Sequence, residues 1–369
     1  MNSPKPIDLA VLLFVATWAW AEDASTPHPH KQLRYVMGTL IEIKTWPADT
    51  TPAAAARTDE AINAAFDEVK RLDAMLSNWR SDSELMQLNR TAGSLANATV
   101  SPELFARIQK ALSIAERTSG GFDPTVGPLV RAWGFLPASG VPGERQRVEE
   151  AKRRIGWEKV SLDSEISAVR FATREMEIDL GGIAKGYAVQ RALDVLREHG
   201  VARGLVSLGG SSIAVLGIPP ARSTASRGWT FRIRDPRHPE RSAAEVELAP
   251  GQALATSGTY EKVMADRAGR HSHIINPQTG EAIGGEVSVT VVADDAETAD
   301  ALTKPFFFVS TLQSPAAQQI LQKFPKASVM LIARQGNSLR LETAGAEPAR
   351  FTSTLSPKGT ATRYVAKTR

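Results

Sequence analysis

Glu177-Ile178-Asp179-Leu180-Gly181-Gly182-Ile183-Ala184-Lys185-Gly186-Tyr187 is the densest run of chemically usable residues in the chain. It reads as a strand passing through glycines into a helix. Backbone without Cβ atoms can approach a phosphate, and the free N–H groups of a helix N-terminus donate to it. Lys185 adds a cation just inside that helix, and Asp179 offers a carboxylate to a polar ligand group or to the loop itself. A glycine turn before a helix is also the commonest way of joining two elements, so the string alone leaves both readings open.

Three further strings carry candidate side chains. Ser119 to Gly127 places Gly121, Phe122 and Asp123 in a turn directly after a helix, where Gly, Asp and Pro also serve simply as turn formers. Thr256-Ser257-Gly258 is followed by His271-Ser272-His273-Ile274-Ile275-Asn276-Pro277-Gln278-Thr279-Gly280, which contains two of the six histidines. On a strand both rings of a His-x-His pair face one side, yet no third ligand of matching character stands nearby, which argues against zinc. Glu297 to Lys304 contains Asp300 and Thr303, three apart at an expected helix start. They are hard oxygen ligands suited to Mg²⁺, or equally helix caps.

The elements that must position these residues follow from periodicity. A strand is predicted over Tyr35 to Trp46, with Ile41 and Ile43 on one face. Ala53 to Leu76 carries an apolar stripe through Ile62, Phe66, Val69 and Leu76, predicting an amphipathic helix. Ser101-Pro102-Glu103 opens a second helix that should stop near Gly120-Gly121. Val160, Val169 to Phe171 and Met176 to Ile178 suggest an antiparallel meander. A helix from about Gly186 to Glu198 ends at Gly200, Leu205 to Leu208 reads as a strand, and Val287, Val289 and Val291 alternate along another. Ser314-Pro315 opens a helix, and Val329 to Arg334 leads into a hairpin turning at Gly336-Asn337. Without regular βαβ alternation, the fold class is α+β, with mixed, largely antiparallel sheets and packed helices.

With 369 residues, 42% of them hydrophobic, the chain can bury a substantial core. Its formal charge of +4 comes from scattered basic residues, which argues against nucleic-acid binding. Cysteine is absent, which removes disulfides, thiolate metal sites and a cysteine nucleophile together. Lys5 precedes an apolar stretch from Leu9 to Ala21 ending in Ala-Trp-Ala, the outline of a signal peptide over 1–21. The stretch is short for a membrane span, so the expectation is a soluble periplasmic protein with no stable membrane anchor. A polar leader over 22–32, a single domain over 33–345 and a solvated basic tail over 346–369 complete the expected organisation.

Taken in order, the strings resemble the ApbE family of FAD:protein FMN transferases, and the resemblance runs from Met37-Gly38-Thr39 to about Val309. Its motifs appear here as Ser77 to Leu85, Leu88-Asn89, Gly120 to Thr125, Asp179 to Gly186, Leu208 to Gly210, Thr256 to Gly258 and His273 to Gly280. The resemblance implies an ApbE-like fold that binds FAD, breaks its pyrophosphate and esterifies FMN onto a Thr or Ser of an exported acceptor protein, releasing AMP. It further implies that Met37, Trp79, Gly121, Phe122, Asp123, Asp179, Lys185 and Ile274 line the FAD site. His273 is then the candidate general base, a role suited to a neutral imidazole. An Mg²⁺ ion is implied at Gly182 and Asp300.

One departure stands out. The family usually has Thr four residues after the metal aspartate, and this chain has Lys304 there, followed by Pro305. An ammonium has only donors and cannot ligate a metal. Thr303 takes over as ligand, or Lys304 places its own charge where the metal sits, or the chain is an FAD-binding protein without transferase activity. An FAD pyrophosphatase, using water in place of the protein hydroxyl, is the remaining alternative. Asn276, where the family often has Asp, is a lesser deviation.

Overall fold

A nine-stranded sheet forms the centre of the computed structural model, which describes residues 28–136, 144–219, 228–266, 269–347, 350–355 and 362–365. In spatial order its strands are His30–Val36, Thr39–Thr45, Gly204–Leu208, Ser212–Leu216, Ala253–Gly258, Val287–Ala293, Ser328–Gln335, Ser338–Gly345 and Thr362–Val365. All neighbours are antiparallel except the last pair, so the α+β reading holds. The expected signal peptide lies outside the described residues.

Both faces of this sheet are covered, and period-2 alternation divides its residues between two cores. Val289, Val291, Val329 and Leu331 pack with the helices Pro52–Leu76, Ala184–Glu198 and Ala296–Leu302. Val292, Met330 and Ile332 point the other way, against a three-stranded sheet of Trp229–Arg234, Ser242–Leu248 and Phe351–Ser353. Phe351 is only 1% exposed in that second core. The stretch expected as a solvated tail therefore contributes two strands, Phe351–Ser353 and Thr362–Val365, and a core side chain. Its lone Phe351 carries no periodicity by which a sequence reading could detect this.

The helices begin and end where local chemistry dictates. Thr51 caps Pro52–Leu76 by accepting from Ala54 N, Ser101 caps Pro102–Arg117 by accepting from Leu104 N, and Ser314 caps Pro315–Lys323 through Ala317 N. After Arg117 the chain turns through Ser119 and Gly120, both at positive φ, and Gly120 N–H closes onto Ala115 O.

Two expectations need correction. The strand foreseen over Tyr35 to Trp46 is two strands joined by a tight turn in which Met37 and Gly38 both have positive φ. Methionine is an unusual occupant of such a turn, so Gly38 was the one residue signal of the break. The first strand also begins at His30, inside the expected leader. Met176 to Ile178 does not complete a meander either. Val160–Asp163 and Ala168–Phe171 pair as expected, but their third partner is Ala98–Thr99. Ile178 is held by a side chain instead of a strand: Asn89 Nδ2 donates to Ile178 O at 2.9 Å, and Ile178 N–H donates to Asn89 Oδ1 at 2.8 Å.

That clamp fixes the entry to the glycine loop. In Asn89→Ala, buried donor and acceptor groups lose their partners, an expected cost of about 1–3 kcal/mol. Denaturant unfolding should show this loss, and the variant should bind a loop ligand more weakly than Asn89→Asp, which keeps the acceptor.

Candidate active site

The glycine loop is built by two hydrogen bonds within it and one to the Ser119 to Gly127 turn. Asp179 N–H donates to Pro124 O at 2.7 Å, Gly181 N–H donates to Asp179 Oδ1 at 2.7 Å, and Ile183 N–H closes onto Leu180 O at 2.9 Å. The Asp179 carboxylate thus shapes the loop as an Asx turn. Burial, with Glu177 nearby, pushes its carboxyl above the usual range.

The helix that follows, Ala184–Glu198, has no side-chain cap of its own. Its cap comes across space: Asp300 Oδ2 accepts from Gly186 N–H at 3.0 Å. This approach requires glycine, because a Cβ at Gly186 would lie 2.1 Å from Ala296 O and 2.9 Å from Asp300 Cβ. Asp300 does not sit at a helix start as expected. The start of Ala296–Leu302 is capped by Asp295 through Thr298 N–H, which places Asp300 in the last turn, next to Thr303 at the C-cap.

Lys185, Lys262 and Lys304 converge on His273. Lys185 Nζ donates to Ser211 Oγ at 3.2 Å, and Lys262 Nζ lies 5.6 Å from the centroid of the Trp79 ring. His273 N–H donates to Lys262 O, and its Nδ1 is buried without a partner. Burial and the charges of Lys262, Lys185 and Lys304 lower the imidazole pKa to about 3, which keeps it neutral near pH 7. Burial and Lys185 also hold the Lys262 and Lys304 ammonium groups below the usual lysine range. Such a group of cations around a glycine loop suits a ligand carrying several negative charges.

The imidazole shift carries a stability consequence. Below the ordinary value of 6.5 an unfolded chain protonates this histidine, whereas the folded chain keeps it neutral down to about 3. The folded state therefore loses stability as pH falls from 6.5 toward 3, and no such loss occurs above 6.5. The difference in unfolding free energy between wild type and His273→Gln should change in this window and be flat above it. A constant difference would contradict the buried neutral imidazole.

The remaining candidates take two kinds of position. Trp79, 59% exposed, presents an open aromatic face at the site, while Ile274 is buried behind His273. Met37 occupies the hairpin turn and packs on the main core. Phe122 is buried, and its ring lies 3.2 Å from where a Cβ of Gly182 would stand. Gly121 leaves room for Pro305, since a Cβ there would approach Pro305 Cβ to 2.7 Å. Asp123 is fully engaged: Oδ1 accepts from Thr125 N–H at 2.8 Å and Thr125 Oγ1 at 2.6 Å, and Oδ2 accepts from Trp157 N–H at 3.2 Å. It holds the turn beneath Phe122.

A divalent cation does not fit the expected set of Gly182, Asp300 and Thr303. Lys304 Nζ donates to Asp300 Oδ1 at 2.8 Å and to Asp300 O at 2.9 Å, while Oδ2 is taken by Gly186 N–H. Lys304 Cε lies 3.2 Å from the Cβ position of Gly182. Thr303 Oγ1 is buried, bonded to Ser257 Oγ at 2.7 Å and to Asp300 O at 2.7 Å. The ammonium thus stands among the three groups that were to hold Mg²⁺, and neither it nor Thr303 offers a ligand.

Sequence reasoning did not find Lys262 or Ser211 as site neighbours, and it had Ser257 only as part of the Thr256 to Gly258 motif, without its bond to Thr303. Lys262 is one basic residue among 44, and only the fold carries it from the end of one strand to the side of His273. Asn89 was visible as a motif residue, but its clamp on Ile178 spans 89 positions.

Comparison with known proteins agrees with this architecture. Residues 37–331 match the ApbE family. A Treponema pallidum protein named FAD:protein FMN transferase is 32% identical over 314 residues, covering 82% of this chain and 84% of its own. A Salmonella typhimurium protein of the same name is 29% identical over 351 residues, covering 92% and 95%. The crystal structure of the ApbE protein from Thermotoga maritima superposes with a TM-score of 0.71 at 29% identity, covering 83% of this chain and 94% of that one.

Proposed function

The chain belongs to the ApbE family, and from that premise we propose that it transfers the FMN moiety of FAD onto a Thr or Ser hydroxyl of an acceptor protein, releasing AMP. The observation that carries this reading is the gathering of His273 with Lys185, Lys262 and Lys304 around the Asp179 to Gly186 loop.

FAD contributes an apolar ring system at one end and a pyrophosphate in the middle. Trp79 offers an aromatic face to the ring, with Met37, Phe122 and Ile274 as apolar neighbours. The pyrophosphate lies against Gly121, the glycine loop and the three ammonium groups, which offset its charge and the charge that develops during transfer. Asp123 and Asp179 position these two loops.

The acceptor hydroxyl oxygen attacks the phosphorus on the FMN side of the pyrophosphate. The bond from that phosphorus to the bridging oxygen breaks, and AMP departs with the bridging oxygen and its electron pair. His273, neutral in the folded protein, takes the hydroxyl proton as the new P–O bond forms. Phosphoryl transfer of this kind needs positioning and charge stabilisation more than covalent catalysis.

The acceptor is an exported protein met in the periplasm, a reading supported by the apolar stretch from Leu9 to Ala21. Among the described residues no helix is long and apolar enough to cross a membrane.

Product analysis tests the reaction type. With FAD and an acceptor domain bearing a target threonine, AMP should accumulate while free FMN does not. Equal release of AMP and free FMN would identify a pyrophosphatase, and intact FAD bound to the protein would identify a flavin-binding protein.

A further inference from the structure

We propose that the Lys304 ammonium stands permanently where a divalent cation was expected, so that FAD binding and FMN transfer by this chain need no metal. The inference rests on the transferase reading for its substrate, and on three independent features of the chain for its geometry.

The first is the pairing of Lys304 with Asp300. Nζ engages both Oδ1 and the backbone oxygen of the same residue, at 2.8 and 2.9 Å. Two acceptors on one partner fix the ammonium in place, and Asp300 is itself fixed by Gly186 N–H. The second is steric. Lys304 Cε packs 3.2 Å from the Cβ position of Gly182, and the next residue, Pro305, fills the space that Gly121 leaves free. The lysine is thus gripped between the two loops assigned to the ligand. The third is electrostatic. Asp300 holds the Lys304 ammonium at the site, and Lys185 and Lys262 stand beside it to add their charge against the pyrophosphate. An ammonium brings less charge than Mg²⁺ but arrives pre-positioned, and the one N–H it does not spend on Asp300 can donate to a phosphate oxygen.

The consequence is a site in which Lys304→Thr exchanges one cation for another. Removal of the ammonium leaves Asp300 Oδ1 free beside Gly182 and introduces a hydroxyl at position 304, an oxygen set that Mg²⁺ accepts. The variant should become dependent on metal where the wild type is not.

The experiment measures FAD affinity of the full chain by flavin fluorescence in EDTA and again in Mg²⁺, with Mn²⁺ binding followed in parallel by electron paramagnetic resonance. For wild type the two FAD affinities should agree within about threefold, and added Mn²⁺ should stay free. Lys304→Thr should lose about 10²-fold in EDTA, recover most of it in Mg²⁺, and bind Mn²⁺ in the presence of FAD. Lys304→Met should lose affinity in EDTA without recovery. A wild-type affinity that rises tenfold or more with Mg²⁺, or Mn²⁺ bound by wild type with FAD, overturns the proposal, and this arm needs no variant to fold. AMP release in the presence of acceptor, measured under the same two conditions, separates the claims. Transfer seen only with Mg²⁺ defeats the metal-free site and leaves the transferase standing. Absence of transfer in both defeats the transferase, while the FAD and Mn²⁺ measurements still decide the role of Lys304.

Discussion

His273→Gln is expected to slow FMN transfer by about 10²- to 10⁴-fold, the range associated with loss of a general base, while FAD affinity changes little. The asymmetry follows from where the imidazole stands. The Lys185, Lys262 and Lys304 charges serve the pyrophosphate and remain in the variant, whereas the group that takes the acceptor proton is gone. Glutamine keeps a polar side chain of similar reach but has no basic nitrogen. Because the imidazole is neutral down to about 3 in the free protein, the acid limb of kcat/KM should lie well below the ordinary histidine value of 6.5. Stopped-flow measurement of AMP release with saturating acceptor checks the first expectation, and a pH series checks the second. A variant that binds FAD tenfold more weakly yet transfers at the wild-type rate would make His273 a binding residue.

Asp300→Ala should cost about 3 kcal/mol of folding stability as well as activity. Its carboxylate is 2% exposed and has two duties, pairing with Lys304 and capping Ala184–Glu198 through Gly186 N–H. Removal of one partner of a buried pair leaves the other charge desolvated and alone, typically at about 3–5 kcal/mol. The lower end applies because the Lys304 side chain keeps 22% of its surface exposed. The unsatisfied Gly186 N–H adds to the loss. The double variant Asp300→Ala with Lys304→Met should recover part of the stability, since it removes the stranded charge. Chemical denaturation of the single and double variants decides this, and identical stabilities for the two would show that the stranded Lys304 charge costs nothing.

How much of this was readable beforehand depended on how local each cause is. The glycine loop was legible because its turn is made within it, by Gly181 N–H on Asp179, whereas the closeness that requires glycine at 186 comes from Ala296 and Asp300 and shows only in the fold. Ser101 and Ser314 caps were legible for the same reason. The position of Asp300 was misjudged by about a turn, because Asp295 caps the helix just before the string that drew attention. Phe351 gave no signal, since a single aromatic in a polar segment becomes a core residue only through its pairing with Ser242–Leu248. Lys262 was silent for a related reason: its importance lies in the neighbourhood of Trp79 and His273, which are far from it or from each other in sequence. The Lys304 departure was visible in the sequence, but only the hydrogen bonds to Asp300 and the packing on Gly182 show what the lysine does.

Intact-mass spectrometry of a threonine-bearing acceptor domain, incubated with the protein and FAD, tests the central claim most directly. The account predicts an acceptor heavier by one FMN less one water, with the addition lost when the target threonine is replaced by alanine. An acceptor of unchanged mass, with FAD bound to the protein and no AMP formed, would contradict it.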